Sequence, residues 1–312
     1  MERIVVTGPT GAIGLALLEK CIKEKVFVYA VCRPDSKRIC HIPKSKYITI
    51  IECGLDDLKK LPSLIEERVD VFYHFGWKST FGASRNDMTS QWENIGYALE
   101  AVEVAAQMGC HTFIGAGSQA EYGRVEGKLS EHTAVNPENG YGMAKLCAGQ
   151  MTRIRCEQLG IKHIWTRILS VYGPGDGMQT MIMSTLEKLI KKERPALTLG
   201  EQRWDYLYSE DCANALYLLG ERGKSGKVYC IGSGNARPLK EYINEMKEIV
   251  WPDGILGFGD IPYGENQVMN LCADIEQLQR DTGFCPVYRF EDGIRETVEW
   301  LKGEEDLWNK IQ

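Results

Sequence analysis

The stretch Thr7-Gly8-Pro9-Thr10-Gly11-Ala12-Ile13-Gly14 decides the fold. It follows Arg3–Thr7 (RIVVT), a β-branched run that reads as a buried strand. It opens Ala12–Lys23, where Ile13, Leu17, Leu18 and Ile22 fall at helical spacing. The glycines are spaced GxxGxxG. The first permits a tight turn, the second lets backbone approach a pyrophosphate, and the third lets the helix pack closely on the strand. The unpaired N–H groups and positive dipole of the helix start favour phosphate there. Strand, glycine turn and helix in that order predict a dinucleotide-binding βαβ unit.

The same alternation continues outward. Strands are predicted at 26–32 (VFVYAVC), 47–51 (YITII), 69–73 (VDVFY), 111–115 (HTFIG) and 162–168 (KHIWTRI). Helical stretches at 56–66, 87–107 and 141–159 lie between them. Alternating elements of this kind form parallel βαβ units, and right-handed crossovers wind them into a doubly wound α/β sheet of Rossmann type. Beyond residue 173 the pattern turns irregular. Helices at 178–192, 211–220, 239–249 and 290–301 mix with short strands at 227–231 and 267–271. The expected organisation is a dinucleotide-binding domain over 1–168. Residues 169–312 then form mostly a smaller α+β substrate lobe, with some segments returning to the first domain.

Composition narrows the function. At roughly 150 residues per domain, 312 residues allow about two domains. Hydrophobic residues at 44% and charged residues at 26% exclude disordered and fibrous classes. A net charge of −6 gives no basic face for nucleic acid or an anionic membrane. The eleven cysteines are odd in number and contain no CxxC pair, so they read as buried reduced thiols rather than a disulfide framework or zinc site. His41, His111, His132 and His163 lack metal-ligand spacing. No apolar run approaches the ~20 residues of a membrane span. Met1-Glu2-Arg3 leads directly into a strand without a leader, and the expected location is cytoplasmic.

Tyr141-Gly-Met-Ala-Lys145 places a phenol and an ammonium four residues apart, on one helix face. A free tyrosine, with pKa about 10, is a poor base at neutral pH. A cation one turn away favours the phenolate, so Tyr141 is a candidate general acid/base for hydroxyl–carbonyl interconversion. Ser118 stands just past a strand end, in Phe113-Ile-Gly-Ala-Gly-Ser118, where a parallel sheet presents residues to its ligand crevice. It can orient a substrate oxygen.

With these three motifs in this order, the chain resembles the extended short-chain dehydrogenase/reductases, the NAD-dependent epimerase/dehydratase family that acts on nucleotide sugars. His74-Phe-Gly-Trp77, Asn94, Thr166-Arg-Ile-Leu-Ser-Val-Tyr-Gly-Pro174, Gln202-Arg-Trp-Asp-Tyr-Leu-Tyr-Ser-Glu-Asp211 and Gly293–Trp300 match further family elements. The resemblance implies a cofactor site at Thr7, Gly8, Thr10, Gly11, Ala12, Ile13, Gly14, Phe75, Gly76, Asn94, Tyr141 and Lys145. It implies substrate contacts at Trp77, Ser118, Ser170 and Arg203, and a homodimer through the helices at 87–107 and 141–159. Dehydratases of the family carry Asp-Glu after the catalytic hydroxyl residue. Here Gln119 and Ala120 stand there, which disfavours dehydration. Ser170 replaces a usual asparagine, and Tyr263-Gly264-Glu265 lies where an arginine often grips the diphosphate.

The end of the second strand selects the cofactor. It reads Val31-Cys32-Arg33-Pro34-Asp35-Ser36-Lys37-Arg38, without the acidic residue that accepts ribose hydroxyls in NAD enzymes. Arg33 can meet a 2′-phosphate bidentately, with Lys37 or Arg38 assisting, so NADP is favoured and NAD is the alternative. The expected activity is a 4-keto reductase or 4-epimerase on a nucleotide sugar, with Arg33 and Arg203 supplying the local positive field. A catalytically silent NADP(H)-binding sensor is the other class, and such sensors usually lack the tyrosine or lysine retained here.

Overall fold

Branched, fully buried residues build the central strands. Ile4, Val5 and Val6 are inaccessible on both faces of their strand, as a parallel sheet covered on two sides requires. A computed structural model describes residues 1–311, with side chains described through residue 303. Six strands come first: β1 (Arg3–Thr7), β2 (Phe27–Cys32), β3 (Ile48–Glu52), β4 (Val71–His74), β5 (Thr112–Ser118) and β6 (Lys162–Ile168). The short strands β7 (Ser170–Tyr172), β8 (Ala196–Leu197), β9 (Arg203–Trp204) and β10 (Tyr206–Tyr208) follow before β11 (Lys227–Ile231). The main sheet has the order β11-β6-β5-β4-β1-β2-β3, and every pairing in it is parallel. The doubly wound Rossmann-type sheet is therefore present. Its last strand comes from residues 227–231, far along the chain.

The helices are α1 (Ala12–Lys23), α2 (Leu61–Leu64), α3 (Met88–Gln107), α4 (Gly140–Leu159), α5 (Met181–Ile190), α6 (Ser209–Arg222), α7 (Leu239–Val250), α8 (Glu276–Thr282) and α9 (Phe290–Ile311). α1 and α6 pack together on one face of the sheet, burying Leu17, Leu18, Leu216 and Leu219. α3 and α4 pack on the other, where Ala101, Val102, Ala105 and Cys156 join Val5 and Phe72. A third core lies in the lobe, formed by α5, α7 and α9 around Tyr172 and Tyr208.

Two predicted elements differ. The helix expected at 56–66 is a 3₁₀ turn at Leu55–Lys60 followed by the four-residue α2. Pro62 has no N–H to donate and tolerates only the first helical turn, so the helix restarts at it. The strand expected at 267–271 pairs only over Asn270–Leu271. Among the described residues, no helix is long and apolar enough to cross a membrane, and all eleven cysteines are free.

Candidate active site

The glycine turn joins β1 to α1 at the C-terminal edge of the sheet. Gly8 has φ +70°, and a Cβ on it would sit 2.8 Å from the Gly76 nitrogen. A Cβ on Gly14 would fall 2.6 Å from the Gly8 carbonyl oxygen. Those two glycines are required by the turn itself. Gly11 meets nothing closer than 4.0 Å, so its lack of a side chain serves whatever approaches from outside. α1 has no side-chain N-cap and no acidic residue in its first turn, which leaves the N–H groups around Ala12, Ile13 and Gly14 for an anion.

Beside this turn lies a cleft of about 730 Å³, lined by Gly8, Thr10, Arg33, Arg38, Gly76 and Trp77 among others. Its size, the uncapped helix start and the arginines fit a dinucleotide. Arg33 is exposed at its rim. Arg38 also lines it and donates to the Gly175 carbonyl of the loop after β7, while Lys37 does not line it. The 3₁₀ turn after β3 contributes Leu55, Asp56 and Asp57, which sequence reasoning missed. The signal was available, because every strand of a parallel sheet delivers its following loop to the same edge.

Other expected cofactor residues act through the backbone. The Thr7 hydroxyl accepts from the Gly76 N–H at 3.1 Å and pairs with His74 Nδ1 at 3.1 Å. The Phe75 N–H donates to the Thr7 carbonyl at 3.2 Å. Asn94 is buried, with its amide spent on the Lys78 N–H and carbonyl at 2.9 and 3.0 Å. It holds the loop after β4 in place, and Gln91 helps by accepting from Trp77 Nε1 at 2.9 Å.

Ser118, Tyr141 and Lys145 converge where β5 ends and α4 begins. α4 starts at Gly140, and the Asn139 side chain caps it by accepting from the Gly142 N–H at 2.9 Å. Tyr141 therefore sits in the first turn, beside Ser118, whose side chain favours the ionised phenol. Lys145 is buried one turn later and donates to the Ala116 carbonyl at 2.6 Å. Burial pushes the Lys145 ammonium down to about 7, with Glu121 opposing the shift.

A cation that the sequence did not point to also acts on the phenol. Desolvation raises the Tyr141 pKa, and the groups that pull it down are Ser118 and Arg85. The Arg85 guanidinium lies over the phenol ring, 4.6 Å from its centroid. Arg85 comes from the 3₁₀ turn Gly82–Asn86, and no sequence spacing pointed to it. Lys145 lies 5.7 Å from the same centroid.

The lobe holds a second cavity, of about 330 Å³, lined by Thr185, Lys188, Gln202, Trp204, Tyr206 and others. Arg203 is not among its lining residues. Alternation along an extended segment sends Gln202, Trp204 and Tyr206 to one side and Arg203 to the other, where it is exposed and donates to the Ala236 carbonyl. Arg203, expected to contact substrate, thus faces away from this cavity. Trp204 lines the cavity, and its indole N–H donates to the Ser170 hydroxyl at 2.7 Å, which holds the ring in place. Lys188 is the cation that lines this cavity.

Comparison with known proteins agrees with the geometry. The chain is 26% identical to the Bacillus subtilis protein described as an uncharacterized UDP-glucose epimerase, YtcB, over 96% of this chain and 98% of that one. It is 25% identical to the Escherichia coli dTDP-4-dehydro-6-deoxyglucose reductase, over 96% and 97% of the two chains. The fold superposes on the Thermotoga maritima UDP-glucose 4-epimerase solved with UDP-glucose, with TM-score 0.87, 22% identity and coverage of 97% and 99%. It also superposes on the Bacillus anthracis dTDP-glucose 4,6-dehydratase in complex with NAD, with TM-score 0.82, 20% identity and full coverage of both chains (100% and 100%). The profile of the NAD dependent epimerase/dehydratase family matches residues 4–232. The glycine turn and the Ser118–Tyr141–Lys145 cluster fall within that span, and the chain belongs to the NAD dependent epimerase/dehydratase family of nucleotide-sugar enzymes.

Proposed function

We propose that the protein is an NADP(H)-dependent nucleotide-sugar oxidoreductase of the 4-keto reductase or 4-epimerase type, with reduction favoured. The observation that carries this reading is the convergence of Ser118, Tyr141 and Lys145 beside the dinucleotide cleft. Gly8, Gly11 and the first turn of α1 hold the pyrophosphate, and Arg33 meets the 2′-phosphate. A bound nicotinamide supplies the hydride donor or acceptor. Ser118 orients the reacting oxygen. Tyr141 gives or takes its proton, and Lys145 lies one helical turn away to hold the nicotinamide ribose. Trp77, edge-on to Tyr141 with centroids 6.3 Å apart, walls the sugar. The lobe cavity takes the remainder of the nucleotide sugar, with Lys188 facing it.

Gln119 and Ala120 offer neither an acid nor a base after Ser118, which supports reduction or epimerisation over dehydration. Retention of both Tyr141 and Lys145 supports an enzyme over a silent cofactor sensor. Arg33 at the cleft rim supports NADP, the usual biosynthetic reductant, over NAD. The eleven free thiols suit a reducing cytoplasm. The proposed assembly is a homodimer across α3 and α4, where Trp92, Met88, Met143, Met151 and Ile154 are exposed.

A thermal-shift screen of UDP-, dTDP-, GDP- and CDP-sugars with NADP present tests the reading. At least one sugar nucleotide should raise the melting temperature and then be converted, with net oxidation of NADPH by a reductase and none by an epimerase. If none of them stabilises the NADP-loaded protein, the nucleotide-sugar assignment is lost.

A further inference from the structure

Beneath Ser118 lies a carboxyl group that the reading above leaves without a task. Glu121 is wholly buried (0% exposed). One of its oxygens accepts from the Ser118 backbone N–H at 2.8 Å and from Trp165 Nε1 at 3.0 Å. The other accepts from Arg167 Nε at 2.7 Å, and the Arg167 side chain is itself only 5% exposed. Formally the first contact belongs to a capping box on the short turn Gln119–Glu121, whose other half is the Ser118 hydroxyl accepting from the Ala120 N–H at 3.2 Å.

An ordinary capping box needs none of the rest. Its carboxylate is usually solvated and serves the helix end alone. Here an ion pair has been taken out of water, which as a rule adds little stability compared with apolar residues of the same shape. Space has also been cleared for it. A Cβ on Gly115 would fall 2.2 Å from the Trp165 ring, one on Gly149 would fall 2.7 Å from it, and one on Gly117 would fall 2.4 Å from Glu121 itself. Three strand- and helix-borne glycines thus seat one indole so that it can hold one carboxyl. The object fixed at the other end of that carboxyl is the backbone of Ser118.

We propose that Glu121 is a positioning residue for the reaction: clamped by Arg167 and Trp165, it holds the Ser118 backbone so that the serine hydroxyl faces Tyr141. Ser118 is the last residue of its strand, still in register with Ile168 of β6. The Glu121 side chain takes the Ser118 N–H and ties this last residue of β5 to the Trp165–Arg167 clamp. A shift of about 1 Å at a substrate-orienting group can cost on the order of a hundredfold in rate.

The inference rests on the Ser118–Tyr141–Lys145 reading, so its test uses two readouts. The first needs no substrate. The variant E121L/R167M removes the ion pair together and keeps the volume. Its NADP-bound crystal structure should show the Ser118 hydroxyl turned away from Tyr141, and an unmoved Ser118 overturns the proposal. The second uses UDP-glucose or the sugar nucleotide identified by screening as probe. E121Q keeps the volume, but its amide can accept from Ser118 only by turning its NH₂ toward Arg167. It should lower kcat about 10- to 100-fold with KM within about twofold. In an S118A background the same change should cost at most about threefold. An equal loss in both backgrounds means a merely structural role and overturns the proposal. If the wild-type holoenzyme turns over no nucleotide sugar, the functional reading fails while the crystal structure still decides the role of Glu121.

Discussion

The Lys145 ammonium lies 3.7 Å from the centroid of the Trp77 ring and 2.6 Å from the Ala116 carbonyl oxygen, with no carboxylate bonded to it. An indole face and one carbonyl compensate poorly for lost water, which is why burial drives this lysine down to about 7. The folded pKa lies below the unfolded value of 10.5. The unfolded chain therefore binds the proton more tightly, and the penalty on the native state is fully present below about pH 7. It fades as pH rises from about 7 toward 10.5. K145M should accordingly be more stable than wild type at and below neutral pH, by up to about 5 kcal/mol. The two melting temperatures should converge as pH rises through that window. Melting temperatures that stay parallel at all pH values would show that the lysine carries no such penalty. The same variant should lose turnover, since the proposed mechanism has Lys145 hold the nicotinamide ribose.

Replacing Tyr141 by phenylalanine separates an enzyme from a cofactor sensor. The phenol is half-buried between Ser118 and the Arg85 guanidinium, and its ring packs edge-on against Trp77. Loss of the hydroxyl alone leaves those packing contacts. Y141F should bind NADP within about threefold of wild type, yet lose on the order of 10²- to 10⁴-fold in kcat. Full turnover by Y141F would remove this residue from proton transfer.

The proposed preference for NADP rests on Arg33. A guanidinium at the cleft rim can form a charge-assisted pair with a 2′-phosphate, worth about 1.5 to 3 kcal/mol, or roughly 10- to 100-fold in affinity. Fluorescence titrations should show wild type preferring NADP by at least tenfold. R33A should lose most of that preference while its affinity for NAD changes little. Equal affinity of wild type for the two dinucleotides sinks the NADP assignment.

How much of this was legible beforehand follows the range of the interactions. The glycine turn, β1 and α1 are adjacent in sequence, and local spacing predicted them within a residue. The four-residue interval from Tyr141 to Lys145 is equally local. That Arg203 lies away from the lobe cavity was not foreseen, because a motif match fixes position along the chain but not which side of the strand faces the cavity. The alternation Gln202, Trp204, Tyr206 contained the answer. Arg85 and Glu121 were beyond reach, since their importance comes from contacts with Tyr141, Trp165 and Arg167, made only after folding.

The placement of Arg203 makes a prediction of its own. Its side chain donates to the Ala236 carbonyl on the far side of the segment from the lobe cavity. R203A should cost about 1 kcal/mol of stability at most, with KM within about twofold of wild type. Trp204 lines the cavity and holds Ser170, so W204A should raise KM at least tenfold. W204F keeps much of the ring and loses only the hydrogen bond, and should fall between them. Steady-state kinetics with the sugar nucleotide found by screening read all three. A large KM effect in R203A would place the arginine at the substrate site.

The proposed dimer rests on the outer face of α3 and α4. Trp92 is 75% exposed there, beside a surface cavity of about 450 Å³ that also includes Ile95, Leu99 and Met151. An indole so exposed, next to further apolar side chains on two packed helices, marks a surface that gains by being covered. The face is formed by the two longest helices on that side of the sheet, and a second copy can lay the same pair against them by two-fold symmetry. Wild-type protein should sediment as a dimer at micromolar concentration. W92E places a charge in the middle of the patch and should shift it to monomer with the far-ultraviolet dichroism unchanged. A wild-type chain that sediments as a monomer removes the dimer, and a W92E dimer would place the interface elsewhere on the surface.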